Sequence, residues 1–353
     1  MTKLAVVGAN GQVGTELLLR LSGVSSVELV PIVRTQAGSA FLRSLGIECV
    51  HGDVTDPTQA KTLLSGCDVV LNLAHSDSYI ARQRMTNFAI ERAVVAAAPK
   101  ESIVIFCSTQ MVYAPELPVR IPGTYGADKL LLESRSRAWS RAAGKQLVIF
   151  RLGHVLGDLQ AITRKIRSEI ATREVALPLR GDLPSNTVFV PSIAAAVLKV
   201  GSREVTGGTY DLISSPQWSW ADVYRHYATE SGETLNIVEA APQTPLYAKI
   251  TSGFVRSASD VVLQQRVRER LGWFLRWMPE TTNERLYSKY QVRRATSEIR
   301  QLETAAQPAV EPWRGVGRNP VPGLDPLSDF SAFPLPSLHR QPSWVPLHHD
   351  PSS

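Results

Sequence analysis

Three glycines near the start of the chain, Gly8, Gly11 and Gly14, constrain the fold more than any other feature. A short apolar run at 4–7 precedes them, and apolar residues at helical spacing follow over 13–21. A strand, a G-x-x-G-x-x-G turn and a helix in that order form an anion cradle: the glycines permit a tight turn, close approach of a pyrophosphate and close helix packing. The pattern predicts that this segment binds a dinucleotide, with contacts from the three glycines and from Asn10, Gln12 and Val13.

Apolar runs alternate with helical patterns through the first half of the chain. Strands are predicted at 4–7, 27–33, 48–51, 68–73, 102–107 and 146–151, and helices at 13–21, 40–45, 85–98 and 125–143. Such alternation indicates βαβ units. Right-handed crossovers then give an α/β fold, a doubly wound parallel sheet of the Rossmann type with helices on both faces.

The pattern loosens after residue 157. Helices are predicted at 162–171, 193–200 and 220–231 and a strand at 209–213. We therefore expect a dinucleotide-binding domain at 1–157 and a smaller C-terminal substrate-binding lobe at 158–254, whose elements can interleave with the sheet. A helical extension is predicted at 255–305, and ten prolines after residue 306 make 306–353 an extended or disordered tail.

The end of the second predicted strand bears on which dinucleotide is bound. An acid there would hydrogen-bond the ribose 2′-hydroxyl of NAD, whereas an arginine accommodates the 2′-phosphate of NADP. The strand ends at Arg34 and has no Asp or Glu at its tip. The sequence predicts NADP, and a merely surface-exposed Arg34 would leave NAD as the alternative.

A threonine, a tyrosine and a lysine form the predicted catalytic set. Thr109 follows the fifth predicted strand, and Tyr125 and Lys129 open the next helix, four residues apart and so on one helix face. A nearby positive charge favours a phenolate, so we expect Lys129 to lower the pKa of Tyr125. Tyr125 would give a proton to a carbonyl or take one from an alcohol, Thr109 would hold the same oxygen, and the dinucleotide would carry the hydride.

These motifs resemble the extended short-chain dehydrogenase/reductase family, also called the NAD-dependent epimerase/dehydratase family, over residues 3–240. The resemblance rests on the glycines, on the catalytic set and on the segments Gly52-Asp53-Val54-Thr55-Asp56, Asn72-Leu73-Ala74, Ser108-Thr109 and 151–157. It implies that Asp53 contacts the adenine, with Val54 in the same binding segment. It also implies that Ala74 lines the cofactor channel and that Lys129 holds the nicotinamide ribose.

Two departures from the family pattern make this a divergent member. In the family's sugar-nucleotide dehydratases Asp and Glu follow the catalytic Thr, whereas Gln110 and Met111 follow it here, which disfavours dehydration. Only sixteen positions separate Thr109 from Tyr125, which implies an altered substrate mouth. The resemblance predicts an epimerase or ketoreductase acting at a secondary alcohol or ketone of a nucleotide sugar or related biosynthetic intermediate. The alternative is an NADP-binding sensor or scaffold without turnover.

Charge, apolar content and cysteine count indicate which partners and which cellular compartment to expect. The net charge is +6, but no nucleic-acid motif accompanies it, and no apolar stretch is long enough to span a membrane. We expect a small-molecule substrate and no nucleic-acid or membrane partner. Three cysteines without metal-type spacing predict no metal site and a reducing, cytoplasmic setting. The extension at 255–305 leaves three interpretations open: a solvated face, a homodimer contact built on Trp273, Phe274 and Trp277, or a basic amphipathic surface.

Overall fold

The computed structural model describes residues 1–76, 80–113 and 125–240, together with 321, 322, 324, 329, 331–333 and 335. The predicted extension at 255–305, most of the predicted tail, residues 241–254 of the predicted lobe and residues 114–124 lie outside the described residues. The three interpretations of the extension, including the homodimer contact, therefore stay predictions.

Strands and helices alternate as far as α5 and continue into the second half of the chain. The strands are β1 (Thr2–Val7), β2 (Val27–Val33), β3 (Val50–His51), β4 (Val69–Asn72), β5 (Ile103–Thr109), β6 (Gln146–Leu152), β7 (His154–Leu156), β8 (Glu174–Leu177), β9 (Thr187–Phe189), β10 (Gly208–Leu212) and β11 (Asn236–Glu239). The helices are α1 (Gln12–Leu21), α2 (Ala40–Ser44), α3 (Pro57–Leu63), α4 (Ile80–Ala97), α5 (Tyr125–Ala142), α6 (Ala161–Ile170), α7 (Val190–Gly201) and α8 (Trp220–Glu230).

Seven of these strands form one parallel sheet in the order β10-β6-β5-β4-β1-β2-β3. The chain winds from β1 outward to β3, then returns to build the other half from β4. The strand order therefore reverses between β1 and β4, and in such sheets ligands bind in the crevice at the carboxyl ends of the strands beside this reversal. The predicted doubly wound parallel sheet is confirmed.

Both faces of the sheet are buried, because side chains alternate along each strand and helices cover both sides. In β1, Leu4 and Val6 pack in a core with residues of α1 and α7, whereas Ala5 and Val7 pack in a second core with residues of α3 and α4. This two-sided burial explains why β1, β4 and β5 are continuous apolar runs in the sequence.

The segment assigned to the substrate-binding lobe contributes to the central sheet. β10 pairs in parallel with β6, and α7 packs against α1. The other elements after residue 153 make two small parallel sheets, β7 with β9 and β8 with β11, and α6 packs on α8 beside them. The boundary at 157 stays a prediction; strand β10 had no local signal in the sequence to show which sheet it would join.

None of the helices that the structure describes is both long and apolar enough to cross a bilayer. Among the described residues, no three His, Cys, Asp or Glu side chains are grouped as metal ligands. The three cysteines are free thiols, with Cys67 and Cys107 buried.

A buried carboxylate fastens α1 to the segment that precedes α6. Glu16 is fully buried and accepts five hydrogen bonds, two from Arg20 at 2.8 and 2.9 Å and one each from the Asp158 N–H, the Leu159 N–H and Gln160 Nε2 at 2.9–3.1 Å. A buried charge is costly unless it is paired and hydrogen-bonded. Because Glu16 is satisfied in both ways, the contact fixes the second part of the chain against the first two turns of α1.

Replacing Glu16 with glutamine is expected to lower the free energy of unfolding by about 2 kcal/mol, because the amide leaves buried Arg20 without its full counter-charge. Urea unfolding of the full chain measures this. The matched control is Glu28→Gln, which removes an exposed ion pair with Lys3 and is expected to unfold like the wild type. Equal stability of Glu16→Gln and the wild type would show that the buried network is not needed for the fold.

Candidate active site

The glycine turn lies at the carboxyl end of β1, where the strand order reverses. Gly8 has φ = +80°, which glycine adopts without strain. A Cβ on Gly8 would lie 2.6 Å from the backbone nitrogen of Ala74, and a Cβ on Gly14 would lie 2.8 Å from the carbonyl oxygen of Ala9. The first glycine therefore lets the turn approach β4, and the last lets α1 approach β1.

The first turn of α1 directs backbone N–H groups toward this crevice. Gly11 caps the helix, and the N–H of Thr15 donates to the Gly11 carbonyl at 2.9 Å. The N–H groups of Val13 and Gly14 precede this bond and have no acceptor within the helix. Together with the helix dipole they favour a bound anion. The cradle fits the pyrophosphate of a dinucleotide.

Replacing Gly8 with alanine is expected to weaken NADPH binding about tenfold, because the added methyl group meets the Ala74 backbone in a conformation that L-residues avoid. Calorimetric titration with NADPH measures this. Gly46→Ala is the matched control: Gly46 has φ = +77°, but a Cβ there meets nothing within 4 Å. The control carries the same backbone strain, so unchanged binding is expected. Equal binding by both variants and the wild type would contradict the steric argument.

The side chains of the turn are held by neighbouring loops. Asn10 Nδ2 donates to the Gly38 carbonyl at 3.0 Å, which joins the turn to the loop after β2. Gln12 Oε1 accepts the Ala161 N–H at 3.1 Å, which joins it to the start of α6. We expect the backbone of these residues, rather than their side chains, to face the dinucleotide.

The residues predicted to bind the 2′-phosphate and the adenine, Arg34 and Asp53, lie at the tips of β2 and β3. Arg34 is exposed directly after β2, and within the described ranges its guanidinium has no hydrogen-bond or ion-pair partner. The Gly52 N–H donates to the Val33 carbonyl, which places Asp53 at the same edge. Asp53 Oδ1 accepts the N–H and the hydroxyl of Thr55 at 2.8 and 2.7 Å. Val54, the next residue, is buried in the core. The roles of all these residues toward a dinucleotide stay predictions.

The predicted catalytic set lies at the ends of β5 and α5 that face each other. Lys129 Nζ donates to the carbonyl of Cys107 at 2.8 Å and lies 5.9 Å from the centroid of the Tyr125 ring. Thr109 ends β5, two residues after Cys107. A single 3-10 turn, Gln110–Tyr113, follows it.

The start of α5 rests directly on that turn. A Cβ on Gly126 would lie 2.5 Å from the carbonyl oxygen of Met111, and the Met111 N–H donates to Thr109 Oγ1 at 3.2 Å. Only glycine permits this approach. The contact brings Tyr125, the residue before Gly126, next to the backbone that carries Thr109.

Tyr125 keeps its proton at neutral pH. Its side chain is 45% exposed, so a substrate can reach it. Desolvation nonetheless raises the pKa of Tyr125 to about 12, and the Cys107 thiol adds to the rise. The expectation that Lys129 lowers this pKa is wrong for this structure. Lys129 directs its ammonium to the Cys107 carbonyl, and desolvation also lowers the pKa of Lys129.

A buried ion network next to the predicted catalytic residues was not predicted from the sequence. Glu133, fully buried on α5, accepts hydrogen bonds from Ser108 at 2.6 Å, from Arg151 at 2.7 and 2.9 Å and from Arg137 at 2.9 Å. Desolvation raises the pKa of Glu133, but these bonds and charges hold it below its ordinary value. The available signal was spacing, because Glu133 lies four residues after Lys129 on the same helix face.

A second buried carboxylate ties β4 to α4 and α5. Glu91 accepts from Asn72 Nδ2 at 2.6 Å and from the hydroxyl of Ser136. Burial raises the pKa of Glu91. Attraction from Glu91 and Glu133 opposes the desolvation that lowers the pKa of Lys129, so the two carboxylates help to keep this lysine charged.

Gln110 and Met111 occupy the two positions after Thr109. Gln110 is buried, and its Nε2 donates to Asp211 Oδ1 at 2.8 Å and to the Arg151 carbonyl at 3.1 Å. Met111 is exposed. Neither side chain can release or accept a proton as a carboxyl group does, so these positions provide no acid or base.

The sequence matches one family model and is similar to two curated proteins. The model of the NAD dependent epimerase/dehydratase family matches residues 4–212, more than half of the chain. A dTDP-L-rhamnose 4-epimerase from Burkholderia thailandensis is 28% identical over 170 residues, which are 46% of this chain and only 44% of that protein. An NAD(P)H azoreductase from Xenophilus azovorans is 22% identical over 260 residues, 73% of this chain and 84% of that protein.

Solved structures share the fold at low sequence identity. A UDP-N-acetylglucosamine 4-epimerase from Bacillus cereus superposes with a TM-score of 0.54 at 18% identity, over 75% of this chain and 97% of that chain. A UDP-glucuronic acid 4-epimerase from Bacillus cereus, in complex with NAD, gives 0.53 at 21% identity, over 67% of this chain and 87% of that chain. At such identities the likeness establishes a common fold.

Proposed function

The chain belongs to the NAD-dependent epimerase/dehydratase family, and on that premise we propose that it catalyses hydride transfer at a secondary alcohol or ketone, with NADP preferred over NAD. One observation carries the proposal: Tyr125 is accessible, lies four residues before Lys129 and directly precedes Gly126, which rests on the turn after Thr109. A proton donor placed in this way matches what reduction of a carbonyl requires.

The residues that would hold the dinucleotide follow from the crevice. Gly8, Gly11 and Gly14 with the start of α1 would hold the pyrophosphate, Arg34 would hold the 2′-phosphate, and Asp53 would contact the adenine. When bound, the nicotinamide would supply or accept the hydride. Ala74, whose backbone closes on Gly8, would line the path toward Tyr125.

Side chains of the protein itself would transfer the proton. Tyr125 would give its phenolic proton to the carbonyl oxygen, or take one from an alcohol in the reverse direction. Thr109 Oγ already accepts the Met111 N–H, so its hydroxyl proton is available to hold the substrate oxygen. Lys129, whose Nζ lies 5.9 Å from the centroid of the Tyr125 ring, would hold the nicotinamide ribose, as the family resemblance implies.

Net reduction is the first candidate and epimerisation the second. Exposed Arg34 at the tip of β2 favours an NADPH-dependent reductase, and the azoreductase is a relative named for NAD(P)H. Similarity to a dTDP-L-rhamnose 4-epimerase favours oxidation and re-reduction at one sugar carbon. The nucleotide-sugar class of substrate is proposed from the names of this relative and of the epimerases whose solved structures share the fold. Dehydration is disfavoured, because Gln110 and Met111 provide no acid.

A substrate panel tests the proposal. The purified full chain is given NADPH with 4-keto sugar nucleotides and simple ketones, and in parallel NADP⁺ or NAD⁺ with nucleotide sugars, and NADPH absorbance and product stereochemistry are followed. A reductase consumes one NADPH for each alcohol formed, whereas an epimerase interconverts two sugars and leaves the NADPH pool unchanged. A chain that binds NADPH tightly and converts nothing would be a sensor or scaffold, which contradicts the proposal.

A further inference from the structure

His75 lies between the dinucleotide cradle and Tyr125. The residue before it, Ala74, touches the cradle, since a Cβ on Gly8 would meet the Ala74 backbone at 2.6 and 2.7 Å. The centroid of the His75 ring lies 5.7 Å from that of the Tyr125 ring, and the two ring planes are nearly perpendicular at 88°. Two consecutive residues after β4 therefore connect the glycine turn to the proposed proton donor.

The backbone on both sides of His75 is fixed by asparagine side chains. The Ala74 N–H donates to Asn72 Oδ1 at 3.1 Å, and the Ser76 N–H donates to Asn87 Oδ1 at 2.8 Å. Asn72 in turn donates to buried Glu91 at 2.6 Å. These bonds anchor the segment to β4 and α4, so the imidazole is presented to Tyr125 by a fixed piece of backbone.

An edge-to-face ring contact restrains the orientation of both rings. Tyr125 needs such a restraint, because it is the first residue of α5 and is 45% exposed. We propose that His75 is a positioning residue that packs edge-on against Tyr125 and holds its phenol toward the reacting oxygen beside Thr109. The inference rests on the proposed role of Tyr125 as proton donor and adds a residue for which neither the sequence motifs nor the family resemblance had given a role.

Two substitutions separate ring packing from imidazole chemistry. His75→Ala is expected to lower kcat about three- to tenfold, the range for loss of one aromatic contact, with KM for NADPH within about twofold of the wild type. His75→Phe keeps a ring and is expected to retain kcat within about twofold. Wild-type kcat in His75→Ala, or equal damage in both variants, would overturn the proposal.

A spectroscopic readout needs no substrate. The full chain is labelled with tyrosine carrying ¹³C at the ζ carbon, the Tyr125 signal is assigned by its loss in Tyr125→Phe, and ionisation is followed from about pH 9 to about pH 11. In the wild type Tyr125 stays protonated, since its pKa is raised to about 12. In His75→Ala the ring loses the imidazole that covers part of it and meets more water, so its pKa is expected to fall toward the ordinary value of about 10; in His75→Phe it stays high.

The controls keep the two proposals distinct. Cys107 and Lys129, the other titratable groups that act on or lie beside Tyr125, are unchanged in all three proteins. Tyr210, whose ring contacts Phe150, is the internal control, and its signal should be the same in all three proteins. An unchanged Tyr125 titration in His75→Ala refutes ring packing, whether or not a substrate is known. Failure of the proposed function would instead appear as undiminished turnover in Tyr125→Phe while the ring contact is intact.

Discussion

Replacing Tyr125 with phenylalanine is expected to lower kcat by about a thousandfold, within the range for loss of a general acid. The substitution removes only the phenolic oxygen and keeps the ring that contacts His75. The pyrophosphate cradle lies on β1 and α1 and is untouched, so the Kd for NADPH should stay within about twofold of the wild type. Turnover on any compound found in the substrate panel and calorimetric titration with NADPH measure the two quantities.

Tyr113 supplies the matched control. It lies on the turn after Thr109, but its hydroxyl donates to Asp211 at 3.2 Å and its ring lies under Arg151, so it is committed to a structural contact. Tyr113→Phe should retain kcat within about threefold, as expected for loss of one modest hydrogen bond. If Tyr113→Phe lost activity and Tyr125→Phe kept it, the proton donor would have been assigned to the wrong tyrosine.

Replacing Arg34 with alanine is expected to weaken NADP binding about a hundredfold and NAD binding less than about twofold. The reason is that a guanidinium pairing with a phosphate contributes about 1.5–3 kcal/mol, and NAD has no 2′-phosphate to lose it. Arg34 is exposed at the tip of β2, so its removal leaves the fold intact. Parallel titrations with NADP and NAD measure the ratio of the two dissociation constants.

Arg43→Ala is the control for this second prediction. The Arg43 guanidinium, on α2, already donates to Ser39 Oγ at 3.2 Å and to the Gln36 carbonyl at 3.3 Å, both in the segment between β2 and α2. Its removal should affect both dinucleotides equally and weakly. An equal loss of NADP and NAD in Arg34→Ala would refute the preference for NADP and leave NAD, which is bound in one of the similar epimerase structures.

The centre of the sheet was predictable because β1, β4 and β5 are buried on both faces and so form continuous apolar runs. Helix α3 and several short strands were not predicted. α3 has a strong start signal, with the Asp56 carboxylate capping the N–H groups of Thr58 and Gln59 and with Pro57 at the first position, yet its seven residues hold too little periodicity to stand out. β7, β8, β9 and β11 are three or four residues long, and their pairing depends on partners distant in sequence.

In the candidate site, too, the sequence predicted contacts within one element but not contacts between elements. Spacing within one element predicted that Tyr125 and Lys129 share a helix face, because the helix repeat is local. The contact between His75 and Tyr125 and the pairing of Glu133 with Arg151 join residues from different elements, so only the packed fold shows them. The pKa of Tyr125 was wrongly predicted for a related reason: desolvation depends on everything packed around the phenol, whereas the sequence displayed only the neighbouring charge.

Deuterium labelling of the dinucleotide tests hydride transfer most directly. The full chain is incubated with NADPH carrying deuterium at the transferable C4 position and with the panel of ketones and 4-keto sugar nucleotides, and products are examined by mass spectrometry. We predict one deuterium at the carbinol carbon of at least one product, absent when Tyr125→Phe replaces the wild type. This outcome holds for a reductase and for an epimerase given its keto intermediate. Saturating NADPH binding with no deuterium in any product would contradict the account.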